Sequence, residues 1–109
     1  MNPNTMTLDE CIPILFPGAY KSEAGSAWVF WDKKSRSRLF VDTLDAIAAA
    51  LPEGWTLNLW WDELPDGTMQ CSAKATNEML DYEIGRAPTE ILARARLAVA
   101  CRLATKEKS

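Results

Sequence analysis

Two stretches of alternating polar and apolar residues, joined by a tight turn, constrain this fold more than any other feature of the sequence. The apolar positions are Trp55, Leu57, Leu59 and Trp61 in the first stretch, and Met69, Cys71, Ala73 and Ala75 in the second. Between the stretches lies Pro65-Asp66-Gly67, a combination typical of turns. A period of two and a short connection predict an antiparallel hairpin that buries one face.

Helices are predicted on both sides of this hairpin along the chain. Residues 7–16 begin with a capping box of Thr7 and Glu10. Residues 43–51 and 88–106 carry apolar side chains at helical spacing. The apolar face of the middle helix is predicted to consist of Leu44, Ile47, Ala48 and Leu51.

The remaining strands are short in the sequence. Residues 80–85 are expected to add a third strand to the hairpin, with Tyr82 and Ile84 facing inward and Asp81 and Glu83 outward. An aromatic run at 28–31 is a further strand candidate, and 39–41 can pair back on it. The prediction is a single α+β domain over residues 1–109: a small antiparallel sheet of about three strands, layered with helices as a helix-sheet-helix sandwich.

The composition offers little for catalysis or metal binding. The chain has no histidine, and its three cysteines lie far apart in apolar surroundings. We therefore expect buried free thiols, no metal, no cofactor and no enzymatic activity. Because the net charge is −3, the overall field does not attract nucleic acid.

The sequence contains no feature expected of a membrane or secreted protein. The first residues, Met-Asn-Pro-Asn-Thr-Met-Thr, lack the basic and apolar regions of a signal peptide. The longest apolar runs are far shorter than a membrane span. A cytoplasmic protein without membrane contact is the expectation.

The C-terminal two-thirds of the chain resembles the phage ABA-sandwich domain, a family of small phage and prophage proteins. The resemblance lies in the run from Phe40 to Ala48, in Gly54-Trp55, in Asp66-Gly67 and in Gly85 through Ala98, and it covers residues 40–104. Arg86 departs from the capping residue that the family often has there. The resemblance implies helix-sheet-helix layering and a phage origin. It implies no catalytic residues.

Tryptophans beside acidic residues are the candidate partner-binding groups. Alternation places Trp60 on the polar face of the hairpin, next to an acidic tip. Either the aromatic segment or the N-terminal helix covers Trp60, which is the favoured outcome, or Trp60 is exposed as the anchor of an interface. The candidate partner-binding residues are Trp28, Trp31, Trp60, Asp62, Glu63 and Asp66.

A basic segment interleaved with aromatic residues suggests a second kind of partner. Its charged residues are Lys33, Lys34, Arg36 and Arg38, and they follow the aromatic run 28–31. Such a pattern can bind single-stranded nucleic acid by phosphate contact and stacking. The favoured interpretation is a solvated turn whose charges keep a sheet edge from aggregating.

Three functional hypotheses follow from these features. The first is a phage or prophage accessory protein that binds and modulates a bacterial host or defence protein. The second is binding of single-stranded nucleic acid through residues 28–38. The third is a structural or assembly component of a phage particle.

Overall fold

Six strands form two separate antiparallel sheets in the computed structural model, which describes residues 2–22 and 27–108. The first sheet consists of β1 (Tyr20–Lys21), β2 (Trp28–Asp32) and β3 (Ser37–Phe40), and the second of β4 (Thr56–Glu63), β5 (Met69–Thr76) and β6 (Tyr82–Ala87). The helices are α1 (Leu8–Leu15), α2 (Leu44–Ala49) and α3 (Glu90–Lys108), and a 3₁₀ turn at Pro3–Thr5 precedes them. The predicted α+β class is confirmed.

The helix starts follow the predicted capping chemistry. The backbone N–H of Glu10 donates to the Thr7 hydroxyl over 3.2 Å, and the Thr7 N–H donates to the Glu10 carboxylate over 3.0 Å. These two bonds are the capping box that the sequence predicted for α1. At α2, the Thr43 hydroxyl accepts from the N–H of Ala46 over 3.2 Å. Both helices therefore begin where a side chain satisfies an otherwise free backbone donor.

The predicted hairpin is present, and large residues of β4 pair with small residues of β5. Leu59 lies opposite Ala73, and Trp61 lies opposite Cys71. Helix α3 packs on β5 and β6 over the small side chains. Because Cys71, Ala73 and Ala75 are small and fully buried, the helix axis can come close to the sheet there.

The closest approach of α3 to the sheet occurs at Gly85. A Cβ atom built on this glycine would clash with the carbonyl oxygen of Ala93 and would lie 2.5 Å from the backbone nitrogen of Leu97. Both neighbours are backbone atoms of α3, so a side chain at this position cannot be accommodated by a rotamer change. Gly85 is therefore required by the packing of the helix on β6.

The prediction of which side chains of the third strand face inward was wrong. Cross-strand pairing places Gly85 beside Ala73 and Glu83 beside Ala75, on the face that α3 covers. Tyr82 pairs with Thr76 and is exposed on the opposite face. The close packing at Gly85 fixes this register, because the strand can meet the helix backbone only where it has no side chain.

Burial along the predicted hydrophobic faces is less complete than expected. Trp61 and Met69, at the end of β4 and the start of β5, are both substantially exposed. The physical reason is that α3 lies over β5 and β6, so that this end of β4 extends beyond the area it covers. In α2, Ile47 is buried as predicted, whereas Leu44 and Ala48 are exposed.

The helices are layered differently from the expectation. Both α1 and α2 pack against α3. Ile12, Ile47 and Val99 form part of a buried cluster there, separate from the one between α3 and the second sheet. The face of the second sheet that carries Trp60 has no helix over it in the described residues. The prediction that the aromatic segment or the N-terminal helix buries Trp60 was therefore wrong.

The N-terminal segment closes one edge of the second sheet. The side-chain amide of Asn4 donates to the carbonyl of Ile84 over 3.0 Å, and its oxygen accepts from the N–H of Arg86 over 2.8 Å. Arg96 holds the same segment to α3 by donating to the carbonyl of Met6 over 2.8 Å. Asn4 thus supplies to β6 the hydrogen bonds that another strand would supply.

Among the residues described here, no helix combines the length and the apolar character that crossing a bilayer would require.

Candidate protein-binding surface

The outer edge of β4 carries two exposed tryptophans on opposite faces of the sheet. Trp60 is 37% exposed on the face without a helix, and Trp61 is 45% exposed on the other face. Within the described chain β4 pairs with β5 alone, so its outer edge has unpaired backbone N–H and carbonyl groups. We call this region the β4 surface and define it by Trp60, Trp61, Asp62, Glu63 and Met69.

The indole of Trp60 is held in place by its neighbour on the same face. Its Nε1–H donates to Oδ2 of Asp62 over 2.8 Å. A side chain fixed before binding loses less conformational entropy when a partner covers it. The bond also places a carboxylate directly beside the exposed ring, so the surface combines an aromatic anchor with negative charge.

Trp60 lies beside a buried hydroxyl on the neighbouring strand. Ser72 is its cross-strand neighbour on β5, and Arg86 is the neighbour of Ser72 on β6. The Ser72 side chain is fully buried, and its Oγ has no hydrogen-bond partner among the residues that the structure describes. Adjacent same-face residues of a sheet lie about 5 Å apart at Cβ, so Trp60 and Arg86 flank Ser72 on this face. Trp60 is thus partly enclosed by its neighbours, and 37% of its surface faces solvent.

The acidic tip next to the tryptophans contains two kinds of carboxylate. Asp66 turns back on the loop, where it accepts from the Thr68 hydroxyl over 2.6 Å and from the Thr68 N–H over 3.0 Å. These bonds, the side-chain one first, lower the pKa of Asp66 below its ordinary value. Asp66 therefore stabilises the turn, whereas Asp62 and Glu63 lie on the exposed strand itself.

The other two candidate tryptophans lie on β2 of the first sheet, apart from the β4 surface. Trp28 is half-buried, and its Nε1–H donates to the carboxylate of Asp9 over 2.9 Å. The same carboxylate accepts a 2.8 Å bond from Lys21, and these two hydrogen bonds lower the pKa of Asp9. Trp31, in contrast, is exposed. The structure thus groups Trp31, but not Trp28, with the exposed residues.

All four predicted basic residues lie in or beside the turn between β2 and β3. Lys33, Lys34 and Arg36 form the turn, and Arg38 lies opposite Trp31 across the hairpin. Asp32 fixes the turn by accepting from the Lys34 N–H over 3.1 Å and from Ser35. We call this element the basic hairpin; it comprises residues 28–40 and also exposes the apolar side chains of Leu39 and Phe40.

The three cysteines are buried and free, as predicted. Burial raises the pKa of Cys11 to about 11 and that of Cys101 to about 12. A thiol with so high a pKa carries almost no thiolate at neutral pH and is a poor nucleophile. In the part of the chain that the structure describes, no group of three or more His, Cys, Asp or Glu side chains is placed to hold a metal ion.

One exposed apolar loop was missed by the sequence analysis. Met79 and Leu80, between β5 and β6, are 80% and 82% exposed, and Leu80 has a φ of 64°. Asn77 organises the loop by accepting from the N–H groups of Met79 and Asp81 over 2.9 and 3.1 Å. The signal in the sequence is two large apolar residues inside a polar turn, where no periodic pattern gives them a place in the core.

Comparison with known proteins identifies no relative: no protein-family model, no curated protein and no solved structure matches this chain.

Proposed function

We propose that this chain is a non-catalytic accessory protein that binds another protein through the β4 surface. Its resemblance to phage ABA-sandwich proteins over residues 40–104 favours a phage or prophage origin and a bacterial host or defence protein as the target. A cytoplasmic location follows from that proposal. The partner surface should be basic with an apolar pocket, because the β4 surface places aromatic rings beside carboxylates.

The observation that carries this proposal is the hydrogen-bonded pair of Trp60 and Asp62 on an open strand edge. Tryptophan is enriched among residues that dominate binding energy, above all where surrounding contacts exclude water. An edge strand adds backbone hydrogen bonds to any extended segment laid along it. A partner can therefore contact an aromatic anchor, form an ion pair and make backbone hydrogen bonds to β4 at the same site.

The test is capture of bacterial host proteins by the wild-type chain and by Trp60→Ala, followed by measurement of the purified pair. We expect Trp60→Ala to weaken the interaction at least about 30-fold, the loss typical of a central anchor. Trp31→Ala is the matched control, because Trp31 is also an exposed tryptophan but lies on the other sheet. Circular dichroism should show that both variants remain folded.

The result would count against the proposal if no captured protein depended on Trp60. Equal loss in Trp31→Ala would assign the binding to the basic hairpin instead. Loss of binding together with loss of the folded signal would be resolved by Asp62→Asn, which removes the negative charge but keeps a side-chain oxygen that can accept from Trp60.

A second candidate function is supported by the position of Trp31. Its exposed ring lies directly opposite Arg38, so a stacking surface and a phosphate-binding cation are neighbours on one hairpin. This hypothesis predicts salt-sensitive binding of a fluorescent single-stranded oligonucleotide, lost when Lys33, Lys34, Arg36 and Arg38 are all changed to alanine. An unchanged anisotropy at low salt would exclude it.

A further inference from the structure

Apart from the two-residue strand β1, two strand edges remain open in the described chain, one on each sheet. β3 pairs only with β2, and β4 pairs only with β5. The outer edge of β6, in contrast, is closed by the side chain of Asn4. Each open edge leaves unpaired backbone donors and acceptors, which another strand can satisfy.

The two open edges are complementary in charge. Arg38 lies on β3, and Lys33, Lys34 and Arg36 lie in the turn before it. Asp62 and Glu63 lie at the exposed end of β4. Both edges also expose large apolar side chains: Leu39 and Phe40 on β3, and Trp60 and Trp61 on β4.

We propose that copies of this chain associate head to tail, with β3 of one copy pairing antiparallel to β4 of the next. This inference uses the same β4 surface as the proposed function and names a second copy as an occupant. The chain itself supplies an extended basic segment whose side chains match that surface.

One antiparallel register satisfies the charges and the apolar residues together. If Arg38 of one copy lies opposite Asp62 of the next, then Phe40 lies opposite Trp60 on the same face. Leu39 then lies opposite Trp61 on the other face. Directly opposed aromatic pairs and opposite charges are the cross-strand combinations that stabilise a sheet. Phe40, which is 60% exposed in the single chain, would be covered in this arrangement.

The geometry predicts a weak, head-to-tail association. β3 has four residues, so the contact is short and falls in the small-interface class, with a Kd on the order of tens of micromolar. The two paired edges are different, so each added copy presents a free β3 and a free β4. Such a contact builds a ring or a filament rather than a closed twofold dimer.

The test is sedimentation velocity of the purified chain from about 1 to about 500 µM, a range that spans this expected Kd. The wild-type protein should increase in mean mass with concentration. Arg38→Asp and Asp62→Arg each place like charges opposite one another, and each should raise the apparent Kd at least about tenfold. An equimolar mixture of the two variants should regain association, because Asp62 of the first variant meets Arg38 of the second.

Three results would overturn the proposal. They are a wild-type protein that stays monomeric at the highest concentration, association that both single variants retain, and a mixture that fails to restore what the variants lost. Restoration by the mixture also shows that the variants are folded.

The same variants separate this inference from the proposed function. Arg38 lies outside the β4 surface, so Arg38→Asp should weaken self-association and leave capture of a different protein through Trp60 intact. If no such protein is captured, the sedimentation result still decides the inference, because it uses the purified chain alone.

Discussion

Gly85→Ala tests the packing of α3 on the second sheet. The added methyl carbon would clash with the carbonyl oxygen of Ala93 and lie 2.5 Å from the nitrogen and 3.0 Å from the Cα of Leu97. All three atoms belong to the backbone of α3 and cannot move without shifting the helix axis. Ala93 and Leu97 are themselves fully buried, so α3 can retreat only by opening the contacts that bury them.

The expected cost follows from this geometry. Inserting one methylene into a packed core costs about 1–3 kcal/mol when side chains can adjust. Here backbone atoms must separate by roughly 1 Å, so the loss should lie at or above the upper end, about 3 kcal/mol or more. A domain of this size has about 5–15 kcal/mol of stability, and such a loss lowers the melting temperature by about 12 °C or more.

Urea denaturation followed by tryptophan fluorescence measures this loss. Gly67→Ala is the control, because Gly67 has open space around it and a φ of 88° that strains an alanine by only about 1–2 kcal/mol. Gly85→Ala should therefore be clearly the less stable variant. If it loses less than about 1 kcal/mol, or less than the control, α3 does not approach β6 as closely as described.

Two further changes probe a strained loop and a buried thiol. Leu80→Gly should raise the free energy of unfolding by about 0.5–1 kcal/mol, because a leucine with left-handed φ is strained and its exposed side chain contributes little packing. Thermal unfolding measures this change, and a loss of stability would refute the prediction. Cys11 has a folded-state pKa of about 11 against 9.0, so the unfolded chain loses its thiol proton first and stability should fall as the pH rises from about 9 to 11. Denaturation of Cys11→Ala over the same pH range should show a smaller fall in the free energy of unfolding, by about 2 kcal/mol at pH 11. An equal fall in both proteins would contradict the raised pKa of Cys11.

Several features of the fold follow from local sequence and were predictable. The capping box of Thr7 and Glu10 needs only four neighbouring residues. The pairing of β4 with β5 needs only strict alternation and the turn at Pro65-Asp66-Gly67. Such features depend on short-range hydrogen bonds and side-chain periodicity, which are visible without knowledge of distant contacts.

The candidate site was only partly predictable for the same reason. Alternation correctly placed Trp60 on the polar face beside Asp62. It could not show whether another element covers that face, because coverage depends on where α1 and α2 pack. Both helices pack on α3, which leaves the ring 37% exposed.

The sequence by itself determined the three helices, the β4–β5 hairpin and the buried state of the cysteines, since periodicity and residue chemistry act locally. Only the tertiary structure decided which side chains of β6 face α3. It also decided which residues remain exposed at the end of β4 and the start of β5. Glu83, Gly85 and Ala87 face α3 because the helix backbone lies too close to β6 for a side chain at position 85. That constraint comes from a contact between residues 85 and 97 across two elements, and no pattern within β6 alone encodes it.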